Sequence, residues 1–135
     1  MEEQKQQILT DSRLMARWVT SLANTLQYHK FLTQAEAFRQ AHLTKRLLVA
    51  LGEGEAVFTY KKDNGFLRRA RGTLCRGISE VYDRWQPADK KPQRESETNT
   101  SFTYFDLDIE AFRSFKAENL IDIKVLGKPS GEAER

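Results

Sequence analysis

From Leu14 onward, apolar residues recur every three or four positions. Met15, Trp18, Val19, Leu22 and Leu26 fall within one arc at about 100° per residue, and Arg13, Arg17, Thr20, Asn24 and Gln27 take the other side. This pattern predicts an amphipathic helix, with Asp11 or Ser12 placed to cap it and a polar lead that can carry it back toward Glu3. Thr33 followed by Glu36 has the spacing of a capping box ahead of a second helix, Gln34 to Leu51. Gly52 then stands where a left-handed residue closes a helix. The apolar positions of that second helix, Phe38, Ala41, Leu43, Leu47, Leu48 and Leu51, are spread around the cylinder, so it packs on more than one surface.

Beyond Gly54 the period changes to two. Ala56, Phe58 and Tyr60 interleave with Val57, Thr59 and Lys61, as in a half-buried strand. Asp63, Asn64 and Gly65 form a hairpin turn, because Asn and Gly accept the positive φ it requires. A three-residue loop with Gly65 in the left-handed position sets Lys62 opposite Phe66 and Phe58 opposite Ala70; a two-residue loop would set Phe58 against Arg71 and mix core with charge. The first register is therefore expected. It turns Arg69 and Arg71 outward, beside Thr59 and Lys61, as a basic strip.

The stretch from Arg84 to Thr100 has no period, holds Pro87 and Pro92, and reads as a long loop. Strands are expected at Phe102–Leu107, Phe112–Phe115 and Ile121–Val125, with a turn at Asp108–Ala111 and one helical turn at Ala117–Leu120. The residues from 127 onward, with Pro129, Gly131 and mixed charge, read as a disordered tail. The organisation expected is a helical extension over 1–52, a small β-domain over 53–126 and a tail over 127–135.

The hairpin Phe58-Thr-Tyr-Lys-Lys-Asp-x-Gly65, the strand Arg69-Ala-Arg-Gly-Thr-Leu74, the strand Tyr104-Phe-Asp-Leu107 and the closing Phe112-Arg-Ser-Phe-Lys-x-x-Asn-Leu-Ile121 resemble the WYL-related domains with an Sm-like/SH3-like β-barrel, a type described from Bacteroidetes and their phages. The resemblance runs from about Leu47 to Ile123, and Tyr104-Phe-Asp-Leu107 stands where other WYL domains carry Trp-Tyr-Leu. It implies a five-stranded SH3/Sm-like barrel of a class that binds nucleic acids, nucleotides or peptides; with the two N-terminal helices read from the apolar pattern, the chain is expected to be α+β. The resemblance does not imply an enzyme.

Composition narrows the field further. The chain of 135 residues is 39% hydrophobic and 30% charged, which describes a folded single domain. A net charge of +3 permits nucleic acid without demanding it. One cysteine, Cys75, can form no internal disulfide, and no apolar run is long enough to cross a bilayer, so a cytoplasmic protein is expected. His29 and His42 lie on the helices, away in sequence from Cys75, and assemble no nucleophilic constellation. Gly52 and Gly54 lack the third glycine of a dinucleotide loop, and Asp106, Asp108 and Glu110 lack the glycine of a calcium loop. No catalytic residue, metal or cofactor is assigned.

The basic residues are what remains. Arg69, Arg71 and Arg113 are the expected phosphate contacts, with Lys61 and Lys116 in support and Tyr60, Tyr104, Phe112 and Phe115 among them for stacking. The competing reading is that the aromatics, above all Phe58, Phe105 and Phe115, fill the barrel and the cations are its solvated surface. The first function expected is a non-enzymatic binding module for single-stranded nucleic acid or a nucleotide-like anion. The second is an interaction adaptor, phage- or mobile-element-encoded, whose helices bind a protein partner or a second copy through Leu14, Trp18, Leu22 and Leu26; the competing reading of that stripe is that it caps the barrel.

Overall fold

The computed structural model describes residues 2–85 and 99–128, with side chains described from residue 13. Helix α1 (Glu2–His29) and helix α2 (Gln34–Glu53) form an antiparallel pair. Because α1 starts at Glu2, Asp11 and Ser12 are interior positions and do not cap it. The capping box of α2 is present: the Glu36 N–H donates to Thr33 Oγ1 at 3.1 Å and the Thr33 N–H donates to Glu36 Oε1 at 3.0 Å. That second bond holds the Glu36 carboxyl below its ordinary pKa. At the other end, α2 runs through Gly52 and stops at Gly54, whose φ of 172° is extended rather than left-handed. A Cβ on Gly54 would run into the backbone of Gly127, so the glycine here serves close approach and not chirality.

Five antiparallel strands follow: β1 (Glu55–Lys61), β2 (Leu67–Thr73), β3 (Ser101–Asp106), β4 (Ala111–Lys116) and β5 (Leu120–Gly127), in the order β4-β3-β2-β1-β5. The β1–β2 register is the one the hydrophobic pattern requires, with Phe58 opposite Ala70 and Thr59 opposite Arg69. Its turn closes through a 2.7 Å bond from Lys62 N–H to Phe66 O, and Gly65 takes φ 92°. The β2–β3 seam is short: only Gly72↔Asp106 and Thr73↔Phe105 pair. A Cβ on Gly72 would lie 2.8 Å from the Tyr104 ring, so glycine admits that ring to the interior.

The sheet curls until β1 and β4 touch across the inside, with the Phe58 and Phe115 rings 5.6 Å apart. Phe58, Tyr60, Ala70, Tyr104, Phe115 and Leu120 make this core together with Leu47, Ala50 and Leu51 of α2. Thr73 ties the layers together, donating its hydroxyl to Gly54 O at 2.6 Å, and Leu74 N–H donates to Leu51 O at 2.9 Å. A second cluster joins Val19, Leu22, Ala23 and Leu26 of α1 to Ala37 and Ala41 of α2 and to Ala117 in a 3-10 turn, Ala117–Asn119. Gln40 fastens that turn with two 2.8 Å bonds to Ala117 O and Leu120 O.

Three further expectations need correction. Helix α3 (Glu80–Trp85) occupies the start of the presumed loop, and the loop's last residue, Thr100, is buried and accepts from Ala117 N–H at 2.9 Å. Residues 86–98, and the tail from 129 onward, lie outside the described residues; Gly127 closes β5 instead of opening the tail. Phe105 is buried, yet not in the barrel. Sharing its face with Thr73, it packs with Phe112 beneath Tyr82 of α3 at 5.3 Å.

Candidate anion-binding site

Strand alternation places the predicted cations on two opposite faces. Arg113 lies opposite Tyr104, and Arg68 opposite Tyr60, so both belong to the inward-facing set. Arg69 and Arg71 lie opposite Thr59 and Val57 and face outward. The expected convergence of Arg69, Arg71 and Arg113 therefore does not occur, because the β3–β4 register sends Arg113 to the other side of the sheet.

The inward group is a closed polar cluster. The Tyr60 and Tyr104 hydroxyls are hydrogen-bonded at 2.7 Å, and Arg68 Nη1 reaches Tyr60 Oη at 3.5 Å. Burial pushes the Tyr104 hydroxyl far above the ordinary tyrosine pKa, helped by the bond to Tyr60. The same Tyr60 contact, with Tyr104 and Asp106 nearby, raises the Arg68 pKa. Asp106 pairs with Arg113 (Oδ2 to Nε, 3.3 Å), while its Oδ1 accepts from Asp108 N–H at 2.9 Å and Ile109 N–H at 3.3 Å. Asp106 is thus a turn-forming carboxylate. Tyr60, Tyr104 and Phe115 are buried and offer no face for stacking.

On the outward face the cations divide again. Arg71 donates to Glu55 Oε1 at 2.7 Å and lies 3.5 Å from Asp108. Burial pulls its pKa down, but the Glu55 bond and the two carboxylate charges outweigh that and leave it raised. Lys116 is paired with Asp63 at 3.3 Å. Lys61 and Arg69 are exposed and have no ion-pair partner among the described residues. They are diagonal neighbours, with Leu67 opposite Lys61 on the same face. Leu67 is 61% exposed, and Phe66 at the hairpin tip is 69% exposed.

Phe66 and Leu67 were not singled out from the sequence. The signal was their place beside Gly65, where the strands have run past the core and an apolar side chain has nothing to cover it. Tyr28, Phe31 and, on α3, Trp85 are also exposed rings, Trp85 resting on Phe112 at 4.6 Å. A groove of about 610 Å³ follows α1 past Arg17, Ser21, Asn24, Thr25, Tyr28 and His29; its described lining comes from one helix and gathers none of the predicted cations. Of the apolar stripe of α1, Leu22 and Leu26 are buried inside the chain and Trp18 packs on Phe102 at 5.6 Å, while Leu14 is 52% exposed.

A scan against protein-family models matches residues 44–121 to the family described as WYL_2, Sm-like SH3 beta-barrel fold. Searches of curated proteins and of solved structures return no match.

Proposed function

The chain belongs to the WYL_2 family of Sm-like SH3 barrels, and on that premise we propose that it is a non-enzymatic module that binds single-stranded nucleic acid or a nucleotide-like anion on the outward face of the β1–β2 hairpin. The observation that supports this reading is the unequal satisfaction of the cations. Arg71, Arg113 and Lys116 already have carboxylates, and an anion would have to compete with them. Lys61 and Arg69 have no ion-pair partner among the described residues and lie side by side, next to exposed Leu67 and Phe66. Arg69 can engage a phosphate with two parallel N–H donors and Lys61 with a point charge. Phe66 supplies a ring on which a base can stack without regard to its identity. Arg71 becomes a positioning residue, holding the β3–β4 turn against β2.

The test is fluorescence anisotropy of a labelled single strand over a range of salt concentrations. The double variant Lys61→Glu/Arg69→Glu should weaken binding at least about tenfold, and the log–log salt slope should fall by roughly 0.7 for each phosphate that is no longer neutralised. Arg46→Glu, exposed on α2, should leave binding unchanged. Competition with a mononucleotide separates strand binding from nucleotide binding. Absence of salt-dependent binding to single strand, duplex or nucleotide defeats the proposal.

A further inference from the structure

Strand β5 ends the sheet, and its outer edge carries exposed apolar side chains and backbone groups unpaired among the described residues. The Lys62–Phe66 bond sets the alternation along β1, so that residues 58 and 60 bond to β2 while Val57 and Thr59 turn to β5. Their partners there are Lys124 and Asp122. Ile123 and Val125 consequently aim their N–H and C=O groups away from the sheet, and no described residue pairs with them there. Ile121 is 48%, Val125 54% and Leu126 45% exposed. An open edge of this composition is a template for another strand.

We infer that this edge joins a second copy of the chain, β5 to β5, antiparallel about a two-fold axis at Ile123. The argument is the order of charges. Ile121-Asp122-Ile123-Lys124-Val125 is apolar at its ends and centre, with opposite charges between. Turned antiparallel on itself about Ile123, it sets Asp122 opposite Lys124 of the copy, Lys124 opposite Asp122, and each Ile121 opposite a Val125. The outward-aimed groups of Ile123 meet their equivalents as a hydrogen-bonded pair, and residues 122 and 124 fall in the closer, non-bonded positions where cross-strand charges interact best.

In the β1–β5 ladder the extra residues are Ile121, between the partners of Thr59 and Tyr60, and Leu126, between those of Glu55 and Ala56. They limit the regular part of the edge to Asp122–Val125, which holds the central pairs of the self-complementary stretch. The contact is isologous, so it closes at two copies. A two-fold axis normal to the sheet keeps both outward faces on one side, with the two Arg69 positions separated by five strand spacings, about 24 Å before twist.

The experiment is sedimentation velocity of the full chain over a concentration series, with Asp122→Lys, Lys124→Asp and the double exchange. Wild type should dimerise. Each single variant puts like charges opposite each other twice and should weaken the dimer at least about tenfold. The double exchange restores both opposite-charge pairs and should restore the dimer. Asp122 and Lys124 are exposed, so thermal melts of the variants should match wild type and exclude unfolding as the cause. A wild type that stays monomeric up to about 1 mM overturns the inference. A dimer indifferent to the single changes, one not rescued by the double, or an open or ring series from head-to-tail pairing overturns it equally. Oligonucleotide binding plays no part in these readouts, so this inference and the proposed function fail separately.

Discussion

Tyr104 has no contact with solvent, and its hydroxyl depends on Tyr60 at 2.7 Å. Replacing it with Phe keeps the ring in the interior but leaves Tyr60 Oη with the 3.5 Å contact to Arg68. Tyr104→Phe should therefore lower stability at neutral pH by about 1–2 kcal/mol in urea unfolding. The pH dependence has a definite sign. The Tyr104 pKa is raised in the native state, so native and unfolded chains both hold the proton below about 10, and the stabilisation is fully present there. As pH climbs past about 10 the unfolded chain ionises first and the urea midpoint should fall. Tyr104→Phe should flatten that alkaline fall. An unchanged neutral midpoint and an unchanged alkaline slope would mean that the tyrosine pair carries no stability.

At the scale of elements, α3 is the piece that sequence patterning did not deliver. With six residues it is less than two turns, too short to display a helical period or to persist alone. It exists because Tyr82 and Trp85 dock on Phe105 and Phe112. Tyr82 is 4% exposed and Trp85 59%, which ranks their contributions. Tyr82→Ala should cost about 3 kcal/mol and Trp85→Ala about 1 kcal/mol in urea unfolding. The reverse order would show that α3 is held by its outer ring. The same aromatics explain which parts of the site were legible. In β1 and β2 apolar and polar residues alternate around an Asn-Gly turn, so register, face and the outward setting of Arg69 and Arg71 could all be read. In β3 Tyr104 and Phe105 are both large and apolar, so alternation marks no inside there and the face of Arg113, opposite Tyr104, is not legible in the sequence. The ion pairs Arg71–Glu55 and Arg113–Asp106 join different strands, and only the folded register reveals that these cations are already neutralised.

Over the whole molecule α2 is the common wall of two cores. Ala37 and Ala41 serve the helical pair; Leu47, Ala50 and Leu51 serve the barrel. The family match begins at residue 44, taking in the half of α2 that faces the strands. Against that shared wall, the β2–β3 seam has a mechanical consequence. The β1–β2 ladder has seven residue pairs and the β3–β4 ladder six, but the join between them has two. Parting the two hairpins along this line sacrifices little hydrogen bonding, so the barrel should open along this fault before it unfolds. Native-state hydrogen exchange should find Leu107 N–H, bonded to Arg71 O at 2.8 Å, exchanging through a sub-global opening, at lower free energy than the Lys62 N–H that closes the first hairpin. Equal protection at the two amides would mean that the barrel opens as one piece.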